Sequence, residues 1–96
     1  MEKVWAAAIG LFSVAAAVAA SAEPPAGAAS CSGCHPASST VSSPVPRLVG
    51  QDQAAIVRAL HEFRSGQRAG TVMDRIAKGF TDDEIQALAV WFAAQK

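Results

Sequence analysis

The sequence predicts an all-α domain of three to four short helices, on three observations. After Asp52, apolar residues recur at helical spacing, with Ile56, Leu60 and Phe63 at i, i+4 and i+7. Thr81-Asp82-Asp83-Glu84 reads as a capping box, with Thr81 as N-cap and Glu84 at N3, and Ile85, Leu88, Ala89 and Phe92 follow on one face. No stretch alternates apolar and polar residues as a half-buried strand would, and no internal repeat is present.

The first 22 residues read as a secretory leader to be cleaved, leaving 23–96 as one small domain. Lys3 and the chain's amino terminus give a positive start, and Val4 to Ala20 carries no charge. Ala20-Ser21-Ala22 has the small-x-small form of a cleavage site, with Glu23-Pro24-Pro25 directly after it. No arginine pair marks a twin-arginine route. An uncleaved anchor is the alternative, but the run is mostly alanine, diluted by Gly10 and Ser13, so no stable membrane span is expected after export. The 51% hydrophobic content of the whole chain partly describes this segment.

Pro24 to Cys34 is built of small residues and suits a short helix that another helix could approach closely. Pro36 to Pro46, with five serines and threonines among its prolines, reads as a loop. A helix then starts near Asp52 and stops at Gly66. Gln67 to Thr71 reads as a turn, Val72 to Lys78 as a short helix ending at Gly79, and Thr81 opens the last helix, where Trp91 flanks the buried stripe.

The chain is neutral, and past residue 22 its basic and acidic residues balance. With no basic excess and no interleaved aromatics, nucleic-acid binding has no support. Arg58 to Lys78 is mostly basic, and reads as solvated surface more readily than as the rim of a docking face.

Chemistry concentrates in Cys31-Ser32-Gly33-Cys34-His35, the C-x-x-C-H signature of c-type haem attachment. Two thiols three positions apart can each add to a porphyrin vinyl group, and the next residue places an imidazole under the iron. These are the protein's only cysteines. One covalent haem would also staple a domain too small to bury much core. A disulfide would use the cysteines but leave His35 without a role. A thiol–disulfide exchanger needs a βαβ setting and a low-pKa thiol, and zinc motifs space their ligands differently. Met73, His61 and Met1 are candidates for the iron's sixth ligand, the last expected to leave with the leader. A lone methionine ordinarily fills core gaps, but methionine opposite histidine is an electron-transfer ligand set. His61 falls on the Arg58 and Arg64 side of its helix and is expected to be exposed. A ligating histidine normally donates its other N–H to an acceptor. The segment Pro46-Arg47-Leu48-Val49-Gly50 follows closely enough to supply a carbonyl, with Leu48 able to cover the haem.

Cys31-x-x-Cys34-His35, then Pro46-x-Leu48-x-Gly50, then Met73 and an amphipathic C-terminal helix resemble the class I c-type cytochromes over essentially all of residues 23–96. Within that class, Phe63-Arg64-Ser65-Gly66 and the run Thr71 to Ile85 look most like the cytochrome subunit of flavocytochrome c sulfide dehydrogenase. The resemblance implies Met73 as sixth ligand, Pro46 as the carbonyl for His35, and helices packed around a single haem c. It also implies periplasmic electron transfer with no substrate transformed by this chain alone. The implied partners are a sulfide-oxidising flavoprotein as donor and a soluble acceptor; a free-standing cytochrome shuttling between other redox proteins is the alternative. The chain departs from the family pattern in having one haem motif where some members have two, Pro36 where a glycine often follows the histidine, Trp91 where a tyrosine is common, and a short segment before Cys31.

Overall fold

Residues 23–96, together with positions 2, 3 and 10, are described by the computed structural model; the leader expected over 1–22 otherwise lies outside the described residues. These residues form four helices and no strand: α1 (Ala28–Ser32), α2 (Gln53–Ser65), α3 (Met73–Ala77) and α4 (Asp82–Ala94). The helical reading holds, and no helix among the described residues is long and apolar enough to cross a membrane.

A turn at Gly27, whose φ of 89° is left-handed, starts α1. Glycine takes this conformation without the steric cost that a Cβ brings. It also permits a close approach: an added Cβ would lie 2.5 Å from Cε1 of Phe80. The small residues before Cys31 do admit a close approach, but by the ring of Phe80 from the segment between α3 and α4 rather than by the helix expected there.

The loop after α1 is pinned by its own side chains. Arg47 Nε donates to the Ala37 carbonyl at 2.9 Å, and the Thr40 and Val45 amides donate to Ser38 Oγ and Ser43 Oγ. Its far end is tied to α4, with the Gly50 amide donating to Phe92 O at 2.9 Å.

Asp52 caps α2 by accepting from the Ala55 amide, and Gly66, with φ 81°, ends it. The foreseen Val72 to Lys78 segment shortens to five residues, because Val72 and Lys78 serve as its caps. In α4 both halves of the capping box are made, Glu84 N–H to Thr81 Oγ1 at 3.2 Å and Thr81 N–H to Glu84 Oε1 at 3.0 Å.

The core sits where α2 and α4 cross and α1 abuts them: Ala28, Ile56, Leu88, Ala89 and Phe92, flanked by half-buried Cys31, Leu48, Val49, Val57, Leu60, Phe80 and Trp91. The foreseen α4 stripe is buried throughout. In α2 only Ile56 is fully buried, because Leu60 and Phe63 lie at the margin of the core.

Candidate haem-binding site

The C-x-x-C-H segment winds on a single turn continuing α1. The amides of Cys34 and His35 both donate to the Cys31 carbonyl, at 3.2 and 2.9 Å, so the two thiols and the imidazole leave one short stretch of backbone. Neither cysteine is in a disulfide; Cys31 is half-buried against the core and Cys34 is exposed. Burial pushes the Cys31 thiol above its usual range, against a smaller lowering by a backbone hydrogen bond. That is the reverse of what an exchange-active C-x-x-C needs. Among the described residues no three His, Cys, Asp or Glu side chains converge as a metal-binding group, so the zinc arrangement finds no support there.

His35 Nδ1 lies 2.5 Å from the Pro46 carbonyl. A carbonyl only accepts, so this contact assigns the proton to Nδ1 and leaves Nε2 with a free lone pair, the tautomer that an axial ligand needs. Proline suits the position because it keeps its carbonyl while fixing the loop backbone. Leu48, two residues on, packs against the same core cluster as Cys31. The residues present therefore fit a covalently held haem: paired free thiols, an oriented imidazole and an apolar side chain within one neighbourhood.

Met73 is half-buried at the first position of α3. Ala77, fully buried, anchors this helix. Asp74 Oδ1, beside Met73, is covered and has no hydrogen-bond partner in the protein.

The His61 side chain is 41% exposed, in line with expectation, although its Nε2 is shielded, 3.9 Å from Asp82 Oδ1. Arg64 forms an ion pair with Asp82 and also donates to the Phe80 carbonyl at 3.2 Å. That guanidinium, by hydrogen bond and then by charge, holds the Asp82 carboxyl below the usual range. A shallow open hollow lies here, lined by Arg58, His61, Glu62, Arg64, Ser65 and Gln67, away from the cysteines.

Arg64 and Phe80, which join α2, α1 and the end of α3, were not singled out as site-positioning residues from sequence. The available signal was the run of small residues at 26–30, which allows a bulky side chain to seat against it.

No family model matches the chain. Among curated relatives, it is 43% identical over 63 residues to the cytochrome subunit of sulfide dehydrogenase of Chlorobaculum tepidum, covering 66% of this chain and 57% of that protein. It is 30% identical over 89 residues to cytochrome c4 of Pseudomonas aeruginosa, covering 92% of this chain and 44% of the relative. A thiosulfate dehydrogenase electron acceptor of Thiomonas intermedia is 37% identical over 73 residues, 72% of this chain and 34% of that one. The chain thus spans about half the length of the first two relatives, 57% and 44%. They are c-type cytochromes, whose cofactor is the covalently bound haem that the donor set fits, and with its all-helical fold this chain is related to the c-type cytochromes.

Proposed function

We propose that the chain is a periplasmic electron carrier holding one haem c, with Cys31 and Cys34 as thioether donors and His35 and Met73 as axial ligands. The observation that carries the reading is the C-x-x-C-H turn with the His35 ring held by the Pro46 carbonyl. When bound, the haem supplies a one-electron ferric–ferrous couple. The protein's part is positional. Pro46 fixes the tautomer and plane of His35. Leu48 and the apolar residues around Cys31 exclude water, and α3 presents Met73. No side chain has to give or take a proton.

Within that function, we favour the role of a cytochrome subunit that accepts electrons from a sulfide-oxidising flavoprotein and passes them to a soluble acceptor. The 43% identity to a sulfide dehydrogenase subunit supports this role. The thiosulfate dehydrogenase electron acceptor among the relatives favours a second reading, a free-standing carrier. Affinity purification from the native host separates the two, since only the first brings down a flavoprotein.

The first test is intact mass and visible spectroscopy of protein made with haem-attachment machinery, repeated on Met73→Ala. The expected result is a leaderless chain plus one haem, with the red methionine–iron charge-transfer band lost in the variant. A chain of unmodified mass overturns the assignment, and a band that survives in Met73→Ala overturns the sixth ligand.

A further inference from the structure

The basic run between Arg58 and Lys78 divides into two parts of different character. On α2 and the turn after it the cations are spent locally: Arg58 and Arg68 pair with Glu62 at 3.8 and 2.6 Å, and Arg64 with Asp82. On α3 they are not. Arg75 and Lys78 are exposed, and among the described residues neither has a carboxylate within 4 Å. Asp74, their neighbour in sequence, has its Oδ1 covered rather than turned out to meet them.

The same helix exposes apolar surface. Val72 and Ile76 are 56% and 42% exposed, the one place among the described residues where two exposed large apolar side chains are close in sequence. At about 100° per residue they lie within about 40° of each other, with Arg75 and Lys78 at successive steps of about 60° beyond Val72. The middle of this arc is about 180° from Ala77, the fully buried residue of α3. The outer face of α3 is therefore an apolar pair bordered by two uncompensated cations.

We propose that this face is a docking surface for an electron-transfer protein that presents carboxylates around an apolar patch. Charge decides the occupant. A second copy of the chain would set Arg75 and Lys78 against themselves, which like-charge repulsion opposes. A face of four side chains suits the small transient contacts of redox encounters rather than a stable interface of about 20–30 residues a side. The placement rests on the function proposed above: Met73 starts this five-residue helix, so a partner seated on it lies about one helix width, ~10–12 Å, from the assigned iron ligand. Long-range attraction to Arg75 and Lys78 raises the encounter rate, and Val72 and Ile76 are desolvated on contact.

The test uses the haem-loaded, reduced chain with two one-electron oxidants, anionic hexacyanoferrate(III) and cationic tris(phenanthroline)cobalt(III). Each takes one electron from the ferrous iron and is itself reduced by one. At low ionic strength, Arg75→Glu and Lys78→Glu together should slow the anionic oxidant about tenfold and speed the cationic one, with both effects vanishing in high salt. Arg58→Glu, which makes the same charge change as either single variant but on α2, should shift either rate by less than about twofold. A ¹⁵N chemical-shift footprint of an acidic flavodoxin should cover residues 72–78 and fade in Val72→Ser/Ile76→Ser. Equal effects from Arg58→Glu, no effect from the α3 variants, a footprint elsewhere, or concentration-dependent shifts without flavodoxin would each overturn the proposal. Absence of covalent haem would show instead as no reaction with either oxidant in any variant. That outcome removes the electron-carrier reading and this surface with it.

Discussion

Replacing Gly27 by alanine tests how α1 is held at the point where it delivers the cysteines. Two costs add there. The φ of +89° is left-handed, where a Cβ costs about 1–2 kcal/mol. The new methyl would also stand 2.5 and 2.9 Å from two carbons of the Phe80 ring, and such overpacking costs about 1–3 kcal/mol. Their sum centres on about 3.5 kcal/mol, or about 14–28 °C in melting temperature at the 4–8 °C per kcal/mol of a 60–100-residue domain. Gly66→Ala separates the terms: its φ is +81°, but nothing lies within 4 Å of an added Cβ, so only the strain of about 1–2 kcal/mol remains. The assay is reversible urea unfolding of the haem-loaded chain for both variants and for Gly27→Ala in a Phe80→Leu background. Leucine lacks the ring carbon that collides, so there the cost of Gly27→Ala should fall toward that of Gly66→Ala. The reasoning fails if Gly27→Ala costs no more than Gly66→Ala, or costs the same with and without the Phe80 ring.

Leu88→Ala, at a side chain only 2% exposed, should cost about 2–5 kcal/mol in the same assay, against less than about 0.5 kcal/mol for exposed Val90→Ala. Acid sensitivity should reside partly in α4. Hydrogen bonds from the Thr81 amide and hydroxyl hold the Glu84 carboxyl low, and the Arg64 guanidinium does so for Asp82. Folded values below unfolded ones mean stability that is present above the unfolded carboxylate range, about pH 4, and lost as pH falls through the folded values. Glu84→Gln keeps a capping side chain but cannot titrate, so urea midpoints between pH 5 and 3 should fall less steeply than in wild type; an unchanged slope counts against it. Before haem addition, iodoacetamide should modify exposed Cys34 several-fold faster than half-buried Cys31, whose thiol burial keeps protonated. Peptide mass mapping reads the ratio, and equal rates would contradict the assigned environments.

The parts legible in the sequence were those with local causes. Thr81 and Glu84 are three residues apart, and their reciprocal bonds form within that span. Gly66 and the Ile56 periodicity delimit α2 in the same way, and C-x-x-C-H folds onto one turn because its bonds close within four residues. Long-range pairings were harder to read. That Arg64 would reach Phe80 and Asp82, 16 and 18 positions on, is not encoded in any spacing. Equally unread was the shielding of His61 Nε2, which lies 3.9 Å from Asp82 Oδ1. The division of the basic run into neutralised and free halves was likewise invisible, since it depends on which way Glu62 and Asp74 turn. The Pro46 contact, which spans 11 residues, was legible only in part: the need of a ligating imidazole for an acceptor pointed to the segment 46–50, and Pro46 itself came from the family resemblance.

Two assigned axial ligands on separate segments raise the question of what keeps them in register, and α3 does not do so by its own stability. A five-residue helix is far below the length at which a helix persists alone, so its position comes from its neighbours. Its own Ala77 is fully buried, and Arg64 reaches from α2 to the Phe80 carbonyl just beyond it. The Phe80 ring then seats against Gly27, four residues before Cys31. One side chain thus touches the turn that launches the cysteine helix and follows directly from the methionine helix, so displacement of Phe80 moves both sides of the site together. Weakening this link should therefore disturb the methionine–iron band as well as stability. In that respect Phe80 differs from Leu88, which shares the core cluster with Ala28 and Cys31 on the cysteine side alone.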